Sequence, residues 1–152
     1  MIDSPVLPGS HLWWSELACH DTPSTPYPEA FRTDPTRLPL LAQAFEDIRD
    51  MCCAELGSDC PLLVVSGYRT PSYQASLLDN PALKAALHSQ HCEGRAIDAK
   101  AARLSFDRFK ACVIRAAQKP LSPIRYIEFR PNFGYIHFDC RPAATLVMET
   151  IN

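Results

Sequence analysis

Ile124-Arg-Tyr-Ile-Glu-Phe-Arg130 and Tyr135-Ile-His-Phe-Asp-Cys-Arg141 flank the four residues Pro131-Asn-Phe-Gly134. Each run alternates apolar with polar side chains, the period of a strand buried on one face, and the segment between them is a hairpin loop. With Pro131–Gly134 as the loop, Arg130 pairs with Tyr135 and Glu128 lies directly across from His137. Cross-strand partners stand side by side, roughly 4.5–5.5 Å between Cβ atoms, on one face of the sheet. A loop one residue longer or shorter would turn Glu128 to the other face.

The rest of the chain supplies partners for that hairpin. From Arg37 to Leu56, Leu38, Leu41, Phe45, Ile48, Cys52 and Leu56 recur at three- and four-residue steps, which predicts a helix with one buried stripe, stopped by Gly57. Pro61-Leu-Leu-Val-Val-Ser66 reads as a short buried strand, and Gly67-Tyr-Arg-Thr-Pro71 as the turn leaving it. Residues 72–88 read as two helical pieces broken around Asp79-Asn80-Pro81. A brief strand follows from Arg95 to Lys100. Ser105 can cap a helix reaching Gln118, with Phe106, Phe109, Val113 and Ala117 inward. The expected class is α+β, a small, mainly antiparallel sheet flanked by helices. Residues 1–36 are proline-rich and should form an irregular arm wrapped on the single domain of residues 1–152, pinned by Leu12-Trp-Trp-Ser-Glu-Leu-Ala18.

Composition sets limits. A chain of 152 residues with 47% hydrophobic and 21% charged residues is one globular domain. A net charge of -2 offers no basic footprint for nucleic acid. No apolar run approaches the ~20 residues of a membrane span. Met1 to Ser10 has an acid where a signal peptide is basic and lacks an apolar stretch, so the expected location is the cytoplasm, unless another system releases the chain. Seven cysteines, an odd number without Cys-x-x-Cys spacing, read as free thiols. Cys92 and Cys140 flank the residues discussed next, but alternation along a strand turns Cys140 away from His137 and Asp139. The expected oligomeric state is a monomer.

Ser89-Gln-His-Cys-Glu-Gly-Arg-Ala-Ile-Asp98 adds a second imidazole and a carboxylate to His137. Zinc takes nitrogen and carboxylate oxygen in a tetrahedral array, and a catalytic site keeps one position for water beside three protein ligands. His91 and Asp98 are seven residues apart, a spacing that suits a loop entering a strand better than one helix face. Gly94 lets the backbone turn between them and Ala96 allows close packing. Alone, His91 would be an ordinary histidine; the company of Asp98 and His137 gives it a metal-binding reading. Two carboxylates are candidate bases. Glu128, across from His137, would otherwise be an edge-strand charge facing solvent. Asp139 shares the face of His137 and could orient a ligand or act as the base. Arg69, where a strand gives way to a loop, could hold a carboxylate or an oxyanion, or form a surface ion pair. Tyr68 is a core aromatic or a substrate contact; His11, His20 and His88 have no such setting. The Trp13-Trp14 pair suits core packing better than sugar stacking.

Ser66-Gly-Tyr-Arg-Thr, Ser89-x-His91-x-x-Gly94-x-Ala96-x-Asp98 and Ile136-His137-Phe-Asp139 resemble, in order and spacing, the zinc D-alanyl-D-alanine carboxypeptidase and L-alanyl-D-glutamate endopeptidase family, which includes bacterial cell-wall enzymes and phage endolysins. The similarity runs from about Trp13 to Arg141. It implies a hedgehog-like fold, Zn2+ as cofactor, His91, Asp98 and His137 as ligands, Arg69 at the substrate or transition state, and the stem peptide of peptidoglycan as partner. Several members place a glutamate base three residues before the last histidine; here that position is Gly134. The expected function is therefore a zinc metallopeptidase of the cell wall, with either Glu128 in place of that glutamate or an altered activity. The competing expectation is a non-catalytic, metal-stabilised structural or cell-wall-binding domain.

Overall fold

The computed structural model describes residues 2–152, and it is α+β as expected. Helices α1 (Trp14–Leu17) and α2 (Glu29–Arg32) are single turns in an otherwise irregular arm. Leu12 and Leu17 anchor the arm with no exposed surface, and Trp14 packs on the Tyr27 ring, while Trp13 stays largely exposed. Helix α3 (Leu38–Leu56) buries Leu38, Leu41, Phe45, Ile48 and Cys52, and Gly57 ends it in the left-handed region, its N–H reaching the Cys53 carbonyl at 2.8 Å. Then come β1 (Leu62–Ser66), α4 (Pro71–Leu77, capped by Thr70), β2 (Ala96–Ala101), α5 (Phe106–Ala117, capped by Ser105), β3 (Tyr126–Arg130), β4 (Tyr135–Asp139) and β5 (Val147–Thr150).

The strands form one sheet in the order β1-β2-β4-β3-β5. Alternation divides it into two faces. Ile97, Ala99, Ile127, Phe129, Ile136 and Phe138 enter a single core with Phe45, Ile48, Phe109 and Val113 of α3 and α5. The intervening residues Asp98, Glu128 and His137 project from the opposite face, which places the polar chemistry on the side away from the two long helices. The hairpin register is the expected one, with Arg130 opposite Tyr135 and Glu128 opposite His137. No described helix is long and apolar enough to cross a membrane.

Two expectations are corrected and one is refined. Strand β1 is not fully buried: Leu63 is 52% exposed, because only one face of this edge strand meets the core. The sheet is mainly antiparallel as expected, with one parallel pair in which β5 runs beside β3 and covers the edge that the hairpin would otherwise leave open. The second helical piece of residues 72–88 is only a 3-10 turn, Pro81–Leu83; Lys84 follows in the left-handed region and residues 85–88 are irregular.

Gly94 (φ 67°) turns the chain between the two halves of the Ser89–Asp98 segment. Tyr27 Oη donates to its carbonyl at 2.6 Å, and a Cβ built there would collide with Phe31 and lie 2.8 Å from Tyr27 Oη. Gly57 has a similar φ of 77° but open space around it. Alanine at Gly57 should therefore cost only the left-handed backbone, about 1–2 kcal/mol. Gly94→Ala should cost a further ~1–3 kcal/mol for the overpacking. Urea denaturation of the two variants measures the difference, and equal losses would contradict the packing of the arm on Gly94.

Candidate metal centre

Pairing across the sheet aligns one residue from each strand in a single row. Ser66 pairs with Asp98, Asp98 with His137, His137 with Glu128, and Glu128 with Glu149. His91 joins this row from outside the sheet. Its loop is held by the Ser89 hydroxyl, which accepts from the His91 N–H at 3.2 Å, and by Arg69, whose N–H donates to the His91 carbonyl at 3.2 Å.

The imidazoles meet at Asp98. His91 Nε2 lies 3.0 Å and His137 Nδ1 2.9 Å from Asp98 Oδ1, and the two nitrogens are 3.2 Å apart. The outward nitrogens are committed elsewhere: His91 Nδ1 to the Gly67 carbonyl at 2.6 Å, His137 Nε2 to Asp139 Oδ2 at 2.8 Å. Both of those partners only accept, so the outward nitrogens carry the protons. Two ring lone pairs and a carboxylate therefore converge with no donor of their own, an arrangement that calls for a cation, a proton or a metal. Asp98 is buried, which raises a carboxyl pKa, yet His91 and His137 outweigh this and hold it well below the usual carboxylate range. Burial lowers His91 despite Asp98. His137 is also lowered by burial, but its hydrogen bonds to Asp139 and Asp98 prevail and lift it to about 9. Hydrogen bonds to two carboxylates thus favour the protonated form of His137, whereas burial disfavours it at His91.

Among the described residues, His91, Asp98 and His137 form a group whose ligand atoms all lie within 4.8 Å of one another. Two nitrogens and one carboxylate oxygen suit a divalent transition metal. Each histidine already has the hydrogen-bonded orienting partner that metal-ligating imidazoles generally have. One side of the group opens on a cavity of about 210 Å3, so a fourth position is available. The residues present fit a metal ion.

The surroundings assign the other candidates. Asp139 is wholly buried, and Arg141 grips both its oxygens, Nε to Oδ1 at 2.8 Å and Nη2 to Oδ2 at 2.7 Å. It takes the orienting role of the two weighed from sequence. Glu128 lines the cavity instead of facing solvent; Tyr126 Oη reaches its Oε2 at 3.0 Å and Arg130 Nε pairs with Oε1. Arg69 holds Asp98 Oδ2 at 3.0 Å, with Ser66 and Gln74 taking its other donors, so its guanidinium is anchored on the ligand carboxylate while still lining the cavity. Cys140 points into the core and burial pushes its thiol up to about 12, which makes it a poor ligand. Tyr68 packs edge-on against Tyr27 and Phe31 as a core aromatic.

Sequence reasoning missed the Gly67 carbonyl, Tyr126, Arg130 and Arg141. The last three sit two residues from Glu128 or Asp139 on the same strand faces, a spacing that could have flagged them. The Gly67 contact had no sequence signal. It depends on β1 losing its regular register with β2 between Val64 and Ser66. It depends too on the arm pressing on Gly67, where a Cβ would lie 2.7 Å from Leu17 Cα.

Comparison with known proteins returned no match to a family model, a curated protein or a solved structure. The assignment of the centre therefore stands on its geometry. One equivalent of a divalent metal should bind the protein, and His91→Ala should abolish tight binding. Asp139→Asn, which leaves all three ligands in place, should weaken it by about 10–100-fold. Competition titration against a chromophoric chelator measures both, and unchanged affinity in Asp139→Asn would remove Asp139 from the centre.

Proposed function

We propose that the chain is a zinc-dependent peptidase acting on the stem peptide of peptidoglycan. The observation that carries this reading is the convergence of the His91 Nε2, His137 Nδ1 and Asp98 lone pairs on a polar cavity with Glu128 in its wall. The sequence resemblance described above, with its Ser89–Asp98 and His137-x-Asp139 blocks, supplies the substrate class. A zinc ion, when bound, lowers the pKa of a coordinated water towards ~7 and polarises a carbonyl.

The chain's own residues do the remaining work. His91 and His137 are held in one tautomer by the Gly67 carbonyl and Asp139, so their inward nitrogens are free to ligate. Arg69 fixes the Asp98 carboxylate by its second oxygen, while His91 and His137 keep it ionised. Glu128, one strand over from His137 and in the cavity wall, would accept a proton from the nucleophile and pass it to the leaving amine. Tyr126 and Arg130 hold that carboxylate in the cavity wall. Lys84 and Arg141, also in the wall, give the cavity the positive charge that suits the carboxylates of a stem peptide.

A second reading has its own support: Glu128 is already engaged by Arg130, and Gly134 stands where members of the resembled family carry a glutamate. On that reading the same centre stabilises a non-catalytic cell-wall-binding domain. Purified cell walls and D-Ala-D-Ala- and L-Ala-D-Glu-containing muropeptides separate the two. Zinc-loaded protein should release product, chelation should abolish release and added zinc restore it. Glu128→Gln should retain the metal and lose about 10²–10⁴-fold in kcat. Tight metal binding without release of product assigns the domain to the second reading, and full activity in Glu128→Gln removes that residue from the mechanism.

A further inference from the structure

Two carboxylates compete for one hydroxyl beside the metal cavity. Parallel pairing sets Glu149 of β5 opposite Glu128 of β3, and Tyr126, two residues before Glu128 on the same strand face, reaches both. Its Oη lies 2.7 Å from Glu149 Oε2 and 3.0 Å from Glu128 Oε2. A phenol has one proton to give and lone pairs with which to accept, whereas an ionised carboxylate only accepts. One of the two contacts is therefore short of a proton. The ring itself is held in place: the Arg141 guanidinium lies over it, 3.9 Å from its centroid, and His137 meets it edge-on at 5.7 Å. Only the hydroxyl proton is free to turn, and the shorter contact marks Glu149 as its acceptor. Glu128 already has Arg130 on Oε1. Glu149, exposed on the outer strand, has no hydrogen-bond or ion-pair partner other than Tyr126 among the described residues.

We propose that Glu149 is a positioning residue for Glu128, acting through the Tyr126 hydroxyl. By drawing the hydroxyl proton to itself, Glu149 turns an Oη lone pair towards Glu128 Oε2 and leaves that oxygen uncapped. When Glu128 takes a proton from the nucleophile, the new O–H fills the 3.0 Å gap and donates to Tyr126 Oη, which still donates to Glu149. Both short contacts then hold a proton, so the row is completed by the proton that the reaction delivers. Its transfer to the leaving amine restores the starting state, and the hydroxyl keeps its own proton throughout. Without the Glu149 charge the hydroxyl would turn to Glu128, because a carboxylate is a stronger acceptor than an amide or water. It would then cap the lone pair that a base needs. The inference rests on the peptidase reading of the centre and deepens it.

The test uses the full zinc-loaded chain. Neutron diffraction from deuterated crystals should place the Tyr126 hydroxyl deuteron on the line to Glu149 Oε2, and in Glu149→Gln on the line to Glu128. The substitution keeps the shape of an exposed side chain, so metal content and melting temperature should not change. Its kcat on the muropeptides should fall about tenfold with KM unchanged, the effect of one charge-assisted hydrogen bond. In a Tyr126→Phe background the same substitution should cause no further loss, because the connection runs through the hydroxyl. A through-space effect of the Glu149 charge would persist there. A deuteron aimed at Glu128 in the unsubstituted chain, full kcat in Glu149→Gln, or an equal loss with and without the hydroxyl overturns the proposal. A deuteron on the Glu149 side in a chain that releases no product leaves the hydrogen-bond direction standing and overturns the peptidase reading. Product release with the deuteron on the Glu128 side does the reverse.

Discussion

A buried carboxylate governs this molecule. Asp98 lies on β2, inside the sheet between β1 and β4, with almost no solvent contact, and an isolated ion there would be prohibitively costly. Its charge is tolerable because Arg69 meets one oxygen and two imidazoles face the other. Such a cluster is poor evidence for stability, since breaking one pair strands the remaining charges. Its value is specificity. Every group around Asp98 must be delivered at hydrogen-bonding distance, and much of the surrounding architecture serves that delivery. The irregular end of β1 aims the Gly67 carbonyl, the arm closes over Gly67 and Gly94, and Arg141 locks Asp139 behind His137.

The sheet delivers most of these groups by register alone. Because β4 is central, one correct hairpin places His137 between Asp98 on one side and Glu128 on the other. The four-residue loop Pro131–Gly134 was legible in the sequence, and with it the face on which all three residues stand. The helices were legible too, since α3 and α5 carry strong apolar periodicity and recognisable ends in Gly57 and Ser105.

The unread parts share a physical cause. Strand β5 has four exposed residues and no buried face, so its hydrophobic pattern carries no strand signal; backbone pairing with β3 makes it a strand. Residues 84–88 have helix-forming side chains but are held irregular by tertiary contacts. Arg130 takes the Leu83 and Lys84 carbonyls, and Gln74 takes that of Ala86. Propensity is a weak prior against such bonds. At the centre, the three ligands could be read from residue type and spacing. The distinction between Asp139 as orienting group and Glu128 as cavity carboxylate could not, because it turns on Arg141 and Tyr126 reaching back along their own strands.

The arm and the last hairpin also order events in time. Tyr27 closes on Gly94, 67 residues downstream, and His137 reaches Asp98 across 39 residues. A ribosome adds roughly 5–20 residues per second, so Asp98 is made a few seconds ahead of His137. During that interval the arm already has Gly67 and Gly94 to close on, but the group around Asp98 lacks its second imidazole. The three groups can therefore meet only after β4 has followed β2 out of the ribosome.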